Sequence, residues 1–304
     1  MTILDVGAKF GIHPAFEDLE NLYNFILVDA DKEEIQQLKK KYKNKNNIKC
    51  LNYFFERKKI GFTKLRLYNH SGKHSYYKLI NDKVRAEIKV PTSTIDSIQE
   101  KVKFLKIDVE GKESDCLLGG VRQLKNNIIG VRCEVLLNPL YKGLNETFTD
   151  VMKILINNNF EFMNFEINKN VSFKSYTKYH CGDIYGKLFA TDAIFVKDLK
   201  WIMKCNDYKV IIDYAVFCIS NNLFDLAIKI LKLKKNLIHK NIHKNIHYKK
   251  IFFFLEYKIA NLFFSLRKIE AYKKLVEKDF KDIFKKSWPE DGSFFKKYEL
   301  NFKF

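Results

Sequence analysis

The chain has 304 residues, 46% of them hydrophobic, and carries 55 Lys+Arg against 36 Asp+Glu for a formal net charge of +19. This apolar content supplies cores for two domains of ordinary size and excludes wholesale disorder. The longest apolar runs, residues 214–219 and 251–255, fall far short of the ~18 residues that span a bilayer, and Met1-Thr2 lead straight into a strand-like segment with no secretory leader ahead of it.

Six cysteines (Cys50, Cys116, Cys133, Cys181, Cys205 and Cys218) show no CxxC spacing. They read as reduced, structural thiols of a cytoplasmic protein and give no metal signature. Residues 199–304 hold 23 Lys+Arg against 11 Asp+Glu, and residues 1–198 hold 32 against 25. A basic tail suits a nucleic acid, an acidic glycan or the inner face of an anionic membrane, where the protein would sit peripherally. Abundant Lys, Asn, Ile and Phe are also what AT-rich coding produces, and compositional bias is the simpler reading.

Residues 3–6 form a short apolar strand that runs into Asp5-Val6-Gly7-Ala8-Lys9-Phe10-Gly11. Gly7 permits a tight turn and close backbone approach to a ligand. A helix is expected next, with Gly11 letting it pack near the strand and its first amides favouring an anionic group. A second strand, residues 25–28, ends in Val28-Asp29-Ala30-Asp31. Asp29 lies 24 positions after Asp5, near the spacing at which a nucleotide-binding unit places a carboxylate for ribose hydroxyls. Asp31, directly before Lys32-Glu33-Glu34, suits the cap of a helix over residues 32–42.

Strands follow at residues 48–51, 62–67 and 84–90, the last two flanking a polar loop. A strand at 104–107 ends in Asp108-Val109-Glu110-Gly111 and opens a helix over 113–124. A strand at 129–135, a helix at 151–158 and strands at 161–167 and 192–196 complete the pattern. Strand–helix alternation of this kind predicts an α/β fold, a Rossmann-like doubly wound sheet with helices on both faces. Its ligand belongs outside the carboxyl ends of the parallel strands, where Asp5, Asp29, Asp108 and Glu134 fall.

Beyond residue 199 the chain is helical. Segments 208–220 with 223–233, and 251–265 with 269–280, predict two helical hairpins, with Ala215 and Ala260, and Ala227 and Ala271, at matching positions as in tetratricopeptide-like repeats. The domains are therefore residues 1–199 and a basic α-helical extension, 200–304. Between the hairpins His239, His243 and His247 recur every four residues. On one helix they would share a face; a short duplication in a polar linker is the simpler account.

Phe104-Leu105-Lys106-Ile107-Asp108-Val109-Glu110-Gly111-Lys112-Glu113, with Leu117-Leu118-Gly119-Gly120 after it, resembles the signature of the FkbM methyltransferase family. The Asp5–Gly11 turn, Asp29, Ser71-Gly72-Lys73-His74-Ser75, Val90-Pro91-Thr92-Ser93-Thr94-Ile95-Asp96 and Arg132-Cys133-Glu134-Val135 resemble it in the same order. The resemblance covers residues 2–198. It implies a class I fold that binds S-adenosylmethionine and methylates, for the most part, hydroxyls of sugars, glycans or other small molecules. Family members often carry asparagine where Lys9 stands and Glu-Pro where Asp29-Ala30 stand.

On this reading Asp5, Gly7, Ala8, Gly11, Asp29, Ala30 and Asn52 are cofactor-binding candidates. Asp108 and Glu110 are the first candidates for general base, because paired carboxylates raise one pKa toward a useful range. Glu134 and His74 are secondary candidates, and His180 a weaker one. Asp108 and Glu110 could instead hold a divalent cation, although no metal is required by the sequence. An amino-directed nucleic-acid methyltransferase would place an Asn/Asp-Pro-Pro-aromatic motif after the fourth strand. Asp108-Val109-Glu110-Gly111 stands there, and Asn138-Pro139-Leu140-Tyr141 follows the fifth strand without a second proline. A non-catalytic interaction module, docking a protein partner through the helical tail, is the other alternative.

Overall fold

Every residue of the first strand, β1 (Thr2–Val6), is buried, as expected of a strand covered on both faces. The computed structural model describes residues 1–69, 74–80, 82–138, 140–144, 146–166, 172–174, 187–286 and 288. The chain divides into two units, Met1–Asp198 and Leu199–Phe304. After β1 the first unit contains β2 (Asn24–Asp29), α1 (Lys32–Lys41), β3 (Ile48–Asn52), β4 (Phe54–Phe55), β5 (Phe62–Leu67), β6 (Lys78–Leu79) and β7 (Ala86–Ser93). It continues with β8 (Val102–Ile107), α2 (Glu113–Leu118), α3 (Val121–Asn126), β9 (Gly130–Leu136) and β10 (Tyr141–Lys142). It closes with α4 (Phe148–Ile156), β11 (Phe160–Glu166), β12 (Ser172–Lys174) and β13 (Lys187–Lys197).

The main sheet has the order β11-β13-β9-β8-β1-β2-β3, with β12 paired to β13. Strands β3, β2, β1, β8 and β9 are parallel, and β13 and β11 run against them. The chain builds outward from β1 through β2 to β3, then returns to place β8 on the other side of β1. That reversal makes the β1/β8 boundary the topological switch point, where α/β sheets bind their ligands. The doubly wound expectation therefore holds. A smaller sheet, β4-β7-β5, and the pair β10-β6 lie outside the main one.

Alternation along β1 sends Leu4 and Val6 into a core with Ile26, Val28, Leu105, Ile107, Cys116, Leu117 and Leu155. On β8, Phe104 is fully buried, stacked 6.1 Å from Phe16 and 5.3 Å from Tyr23. Phe16 belongs to a 3-10 turn, Pro14–Leu19, which stands where a helix after Gly11 was expected. Pro14 near its start and the few residues before β2 leave no room for a longer helix. The helix expected over 113–124 is likewise two helices, interrupted at Gly119-Gly120. The Gly119 carbonyl accepts from the Asp96 amide, and a Cβ on Gly119 would lie 2.2 Å from the Glu56 carbonyl oxygen. Close backbone approach, together with the poor helix propensity of glycine, breaks the helix there.

The second unit contains α5 (Leu199–Lys204), α6 (Tyr208–Ser220), α7 (Phe224–Asn241), α8 (Ile246–Leu266) and α9 (Glu270–Phe284). Ala215, Ala227 and Ala260 are fully buried, where small side chains let helices approach. Buried Asp213 accepts from the Tyr248 hydroxyl at 3.0 Å. The helix α7 extends well past the expected residue 233, then breaks at a 3-10 turn, Ile242–Lys244. His239, His243 and His247 therefore share no continuous helix face, and His239 instead meets the Ile283 carbonyl at 2.8 Å. Cys50, Cys116, Cys133, Cys205 and Cys218 are free thiols; His180 and Cys181 lie outside the described residues.

Phe104→Ala removes a buried ring that joins the 3-10 turn to the sheet. It should destabilise the protein by about 3–5 kcal/mol, measured as a lower urea midpoint at unchanged slope.

Candidate active site

The ends of β1, β2 and β8 open on one cleft of about 210 Å³. Its wall includes Asp5, Gly7, Ala8, Gly11, Asp29, Ala30, His74, Asp108 and Glu110. Nine of the twelve candidates from sequence thus border one space; His180 lies outside the described residues. Gly7 has φ +77°, and a Cβ there would lie 1.7 Å from the Asp108 carbonyl oxygen. Glycine is needed because the two turns at the switch point nearly touch.

Asp29 ends β2 with Oδ1 accepting the Asp31 amide at 2.8 Å. Further lone pairs remain free for ligand hydroxyls. Burial pushes its pKa up to about 6. Asp31 caps α1, accepting from the Glu33 amide at 2.9 Å, as its position before an amphipathic helix implied. His74 sits beside Asp31, 3.4 Å from its Oδ2, with its pKa lowered mainly by burial. This position is at the β2 turn, while the neighbouring Ser75 reaches the Glu110 carbonyl. Asn52 does not border the cleft; its amide donates to the Asp29 and Ala30 carbonyls at 3.0 and 2.8 Å and so fixes the β2 turn from behind.

Asp5 is a supporting residue. It is buried, with Oδ2 accepting the His13 amide at 3.1 Å and Oδ1 3.3 Å from the Lys106 ammonium. Lys106 also donates to the Gly7 carbonyl at 3.0 Å and lies 3.6 Å from Asp108 Oδ2. Burial alone would lower the Lys106 pKa, but the Asp5 and Asp108 charges drive it upward. Sequence reasoning passed over Lys106. Its signal was present, since a lysine inside an otherwise apolar strand is buried only with partners.

The Asp108–Gly111 turn is held from several sides. Glu113, buried and pushed up to about 7 by that burial, accepts from the Val109 and Gly111 amides. Ser75 donates to the Glu110 carbonyl at 2.6 Å. Glu110 takes φ +57°, a strained value for a side-chain-bearing residue, and its carboxylate accepts from the Tyr141 hydroxyl. Glu134 stands behind the cleft wall, yet carboxylate oxygens of Asp108, Glu110 and Glu134 all lie within 4.8 Å of one another. Burial, then the charges of Asp108 and Glu110, push Glu134 well above the usual carboxylate range. Beside them, Arg132 pairs with Asp192 at 2.6 Å and with Glu166. His13 is held down near about 3 by burial and by Arg132 and Lys106, and so stays neutral.

The cleft fits S-adenosylmethionine in chemistry: a glycine turn without Cβ, a carboxylate after β2, and Tyr53 and Phe54 in the wall as apolar surface for a nucleobase. The family model of the methyltransferase FkbM domain matches residues 5–162. No curated protein matches the chain. Among solved structures, similarity is found to methyltransferase FkbM from Methylobacillus flagellatus, at 14% identity and TM-score 0.37, covering 64% of this chain and 43% of that one. The chain thus spans under half the length of that structure. The magnesium protoporphyrin IX methyltransferase of Synechocystis, with bound SAM, aligns at 10% identity and TM-score 0.33, covering 64% and 69%. A putative RNA methyltransferase from Pyrococcus horikoshii aligns at 11% identity and TM-score 0.34, covering 65% and 73%.

Lys106→Met leaves Asp5 and Asp108 without their shared cation. Breaking such a buried ion set costs about 3–5 kcal/mol, so chemical denaturation should register a loss of that size.

Proposed function

The chain belongs to the FkbM methyltransferase family, and on that premise we propose that it transfers a methyl group from S-adenosylmethionine to a hydroxyl of a sugar, glycan or related small molecule. Residues 1–199 carry the reaction in this reading, and the basic helical extension, 200–304, serves docking. The observation that supports it best is the convergence of Gly7, Asp29 and Asp108 on one cleft at the switch point.

When bound, the cofactor supplies an electrophilic methyl group on a sulfonium. Asp29 holds the ribose hydroxyls, and the Gly7 turn lets the backbone lie against the ligand. Asp108 borders the cleft with its side chain 38% exposed, in position to take the proton of an acceptor hydroxyl. Glu110, fixed by Tyr141, and Glu134 orient that hydroxyl and hold protons beside it. Alignment of the hydroxyl with the methyl supplies much of the acceleration.

Local charge favours a neutral hydroxyl over a nucleic acid at the reacting end. Asp108, Glu110 and Asp192 outnumber Lys106 and Arg132 there, so a phosphate backbone would meet excess negative charge. Nor is a divalent cation needed for charge balance at Asp108, because the Lys106 ammonium already stands 3.6 Å away.

Two outcomes test the assignment. Hydrogen bonds from ribose favour the ionised form of Asp29, so binding takes up the carboxylate and releases any proton on it. Affinity for S-adenosylmethionine in calorimetry should be constant above the Asp29 pKa of about 6 and weaken as pH falls below it, by up to about tenfold per pH unit. Asp29→Asn should bind weakly with a flat profile. Asp108→Asn should lower kcat about 10²–10⁴-fold while cofactor binding survives, and a chelator should leave the wild-type rate unchanged. A chelator-sensitive rate would instead make the three carboxylates a cation site, and absence of any cofactor binding would overturn the assignment.

A further inference from the structure

The loop between β4 and β5 joins three exposed cations to two exposed apolar side chains. Its residues Arg57, Lys58, Lys59, Ile60, Gly61 and Phe62 are all exposed. Ile60 and Phe62 leave 64% and 56% of their surface in solvent. Lys64 and Lys89 flank them on β5 and β7, also exposed. Arg57, Lys58 and Lys59 enter no ion pair with any described residue, and Glu87, paired with Lys64 and Arg66, is the nearby acid.

This display is built rather than loose. The Ile60 amide donates to Thr92 Oγ1 and the Thr92 amide to the Gly61 carbonyl, both at 3.0 Å. Gly61 adopts φ +88° with nothing near its missing Cβ, so the chain turns sharply between Ile60 and Phe62. An exposed isoleucine and phenylalanine one residue apart, among cations, form a small apolar tip that a partner can cover.

We propose that this loop seats the protein on an anionic bilayer, with Ile60 and Phe62 entering the interface and the five surrounding cations meeting lipid phosphates. An apolar tip inside a basic ring is the pattern of interfacial membrane contact. Single-stranded nucleic acid fits less well. It binds by stacking bases on aromatic faces, whereas Ile60 has no such face and one face of Phe62 carries the Lys89 ammonium at 4.6 Å. No helix among the described residues is long and apolar enough to cross a membrane, so attachment through the loop is peripheral. The loop links strands whose Phe54, Phe55 and Leu65 wall the cleft. Ile60 lies within about 18 Å of Phe55 along the chain, so docking holds the cleft at the bilayer surface.

The test is co-sedimentation of the full chain with vesicles of phosphatidylcholine alone, or of three parts phosphatidylcholine to one part phosphatidylglycerol. The wild type should sediment with the mixed vesicles only, and less so as salt rises. Ile60→Ser/Phe62→Ser should weaken that binding by about tenfold, and Arg57→Glu/Lys58→Glu/Lys59→Glu should abolish it. Both variants should bind S-adenosylmethionine as the wild type does, which shows that they fold and keeps this proposal separate from the cofactor reading. Three results would overturn it: no binding to mixed vesicles, equal binding to neutral ones, or variants that bind like the wild type. Loop-dependent binding of a single-stranded RNA oligonucleotide without vesicle binding would make the loop a nucleic-acid surface. A dimer in sedimentation velocity that the Ile60→Ser/Phe62→Ser variant dissolves, again without vesicle binding, would assign it to a second copy of the chain.

Discussion

The Lys106 ammonium is the contact on which the site depends. It reaches Asp5 on β1, the carbonyl of Gly7 and the carboxylate of Asp108. These are the pieces that must meet at the switch point. A cation buried this deeply is tolerable only because carboxylates surround it. Those carboxylates in turn would repel each other without it. The pair of turns is therefore one electrostatic unit. The absence of a Cβ at Gly7 is what allows the unit to close, since the Asp108 carbonyl occupies the space a side chain would take.

Much of the fold could be read from sequence because its signals are local. Short β-branched runs such as Ile3-Leu4-Asp5-Val6 look like buried strands wherever they occur, and their alternation with amphipathic helices leaves few topologies open. Asp31 as a helix cap is equally local. What escaped was long-range. Asn52 aligns with the end of β3, but only the structure shows its amide turned onto the Asp29 and Ala30 carbonyls. Glu134 was placed with Asp108 at the strand ends from sequence, but only the pairing of β9 beside β8 brings its carboxylate within 4.8 Å of those of Asp108 and Glu110. The helix expected after Gly11 gave way to a 3-10 turn in a span too short for more, and the one expected through Gly119 broke where the backbone of Glu56 comes close.

Charge makes the same point on a larger scale. A net +19 suggests a protein that seeks polyanions everywhere. The structure distributes that charge unequally. At the β8 and β9 ends acids outnumber bases, while the β4–β5 loop is almost purely cationic around two apolar side chains. Screening confines each field to roughly 8–10 Å at ordinary salt. The cleft and the loop therefore present opposite signs of charge. Net charge predicts neither partner; the arrangement within a Debye length does.

The short segment Asp108-Val109-Glu110-Gly111-Lys112-Glu113 shows how a signature packs several mechanical roles into six residues. Asp108 faces the cleft. Glu110 can project toward Tyr141 and the acid cluster only with its backbone at positive φ, and Gly111, at φ +103°, continues that turn where a Cβ would press on Leu144 and Tyr141. Glu113 then folds back to bind the Val109 and Gly111 amides, which would otherwise be buried donors without partners. The strain at Glu110 is held by these bonds rather than by burial of its own side chain. Its carboxylate is thereby set against the Tyr141 hydroxyl and beside the carboxylates of Asp108 and Glu134, a placement that capping a helix does not require.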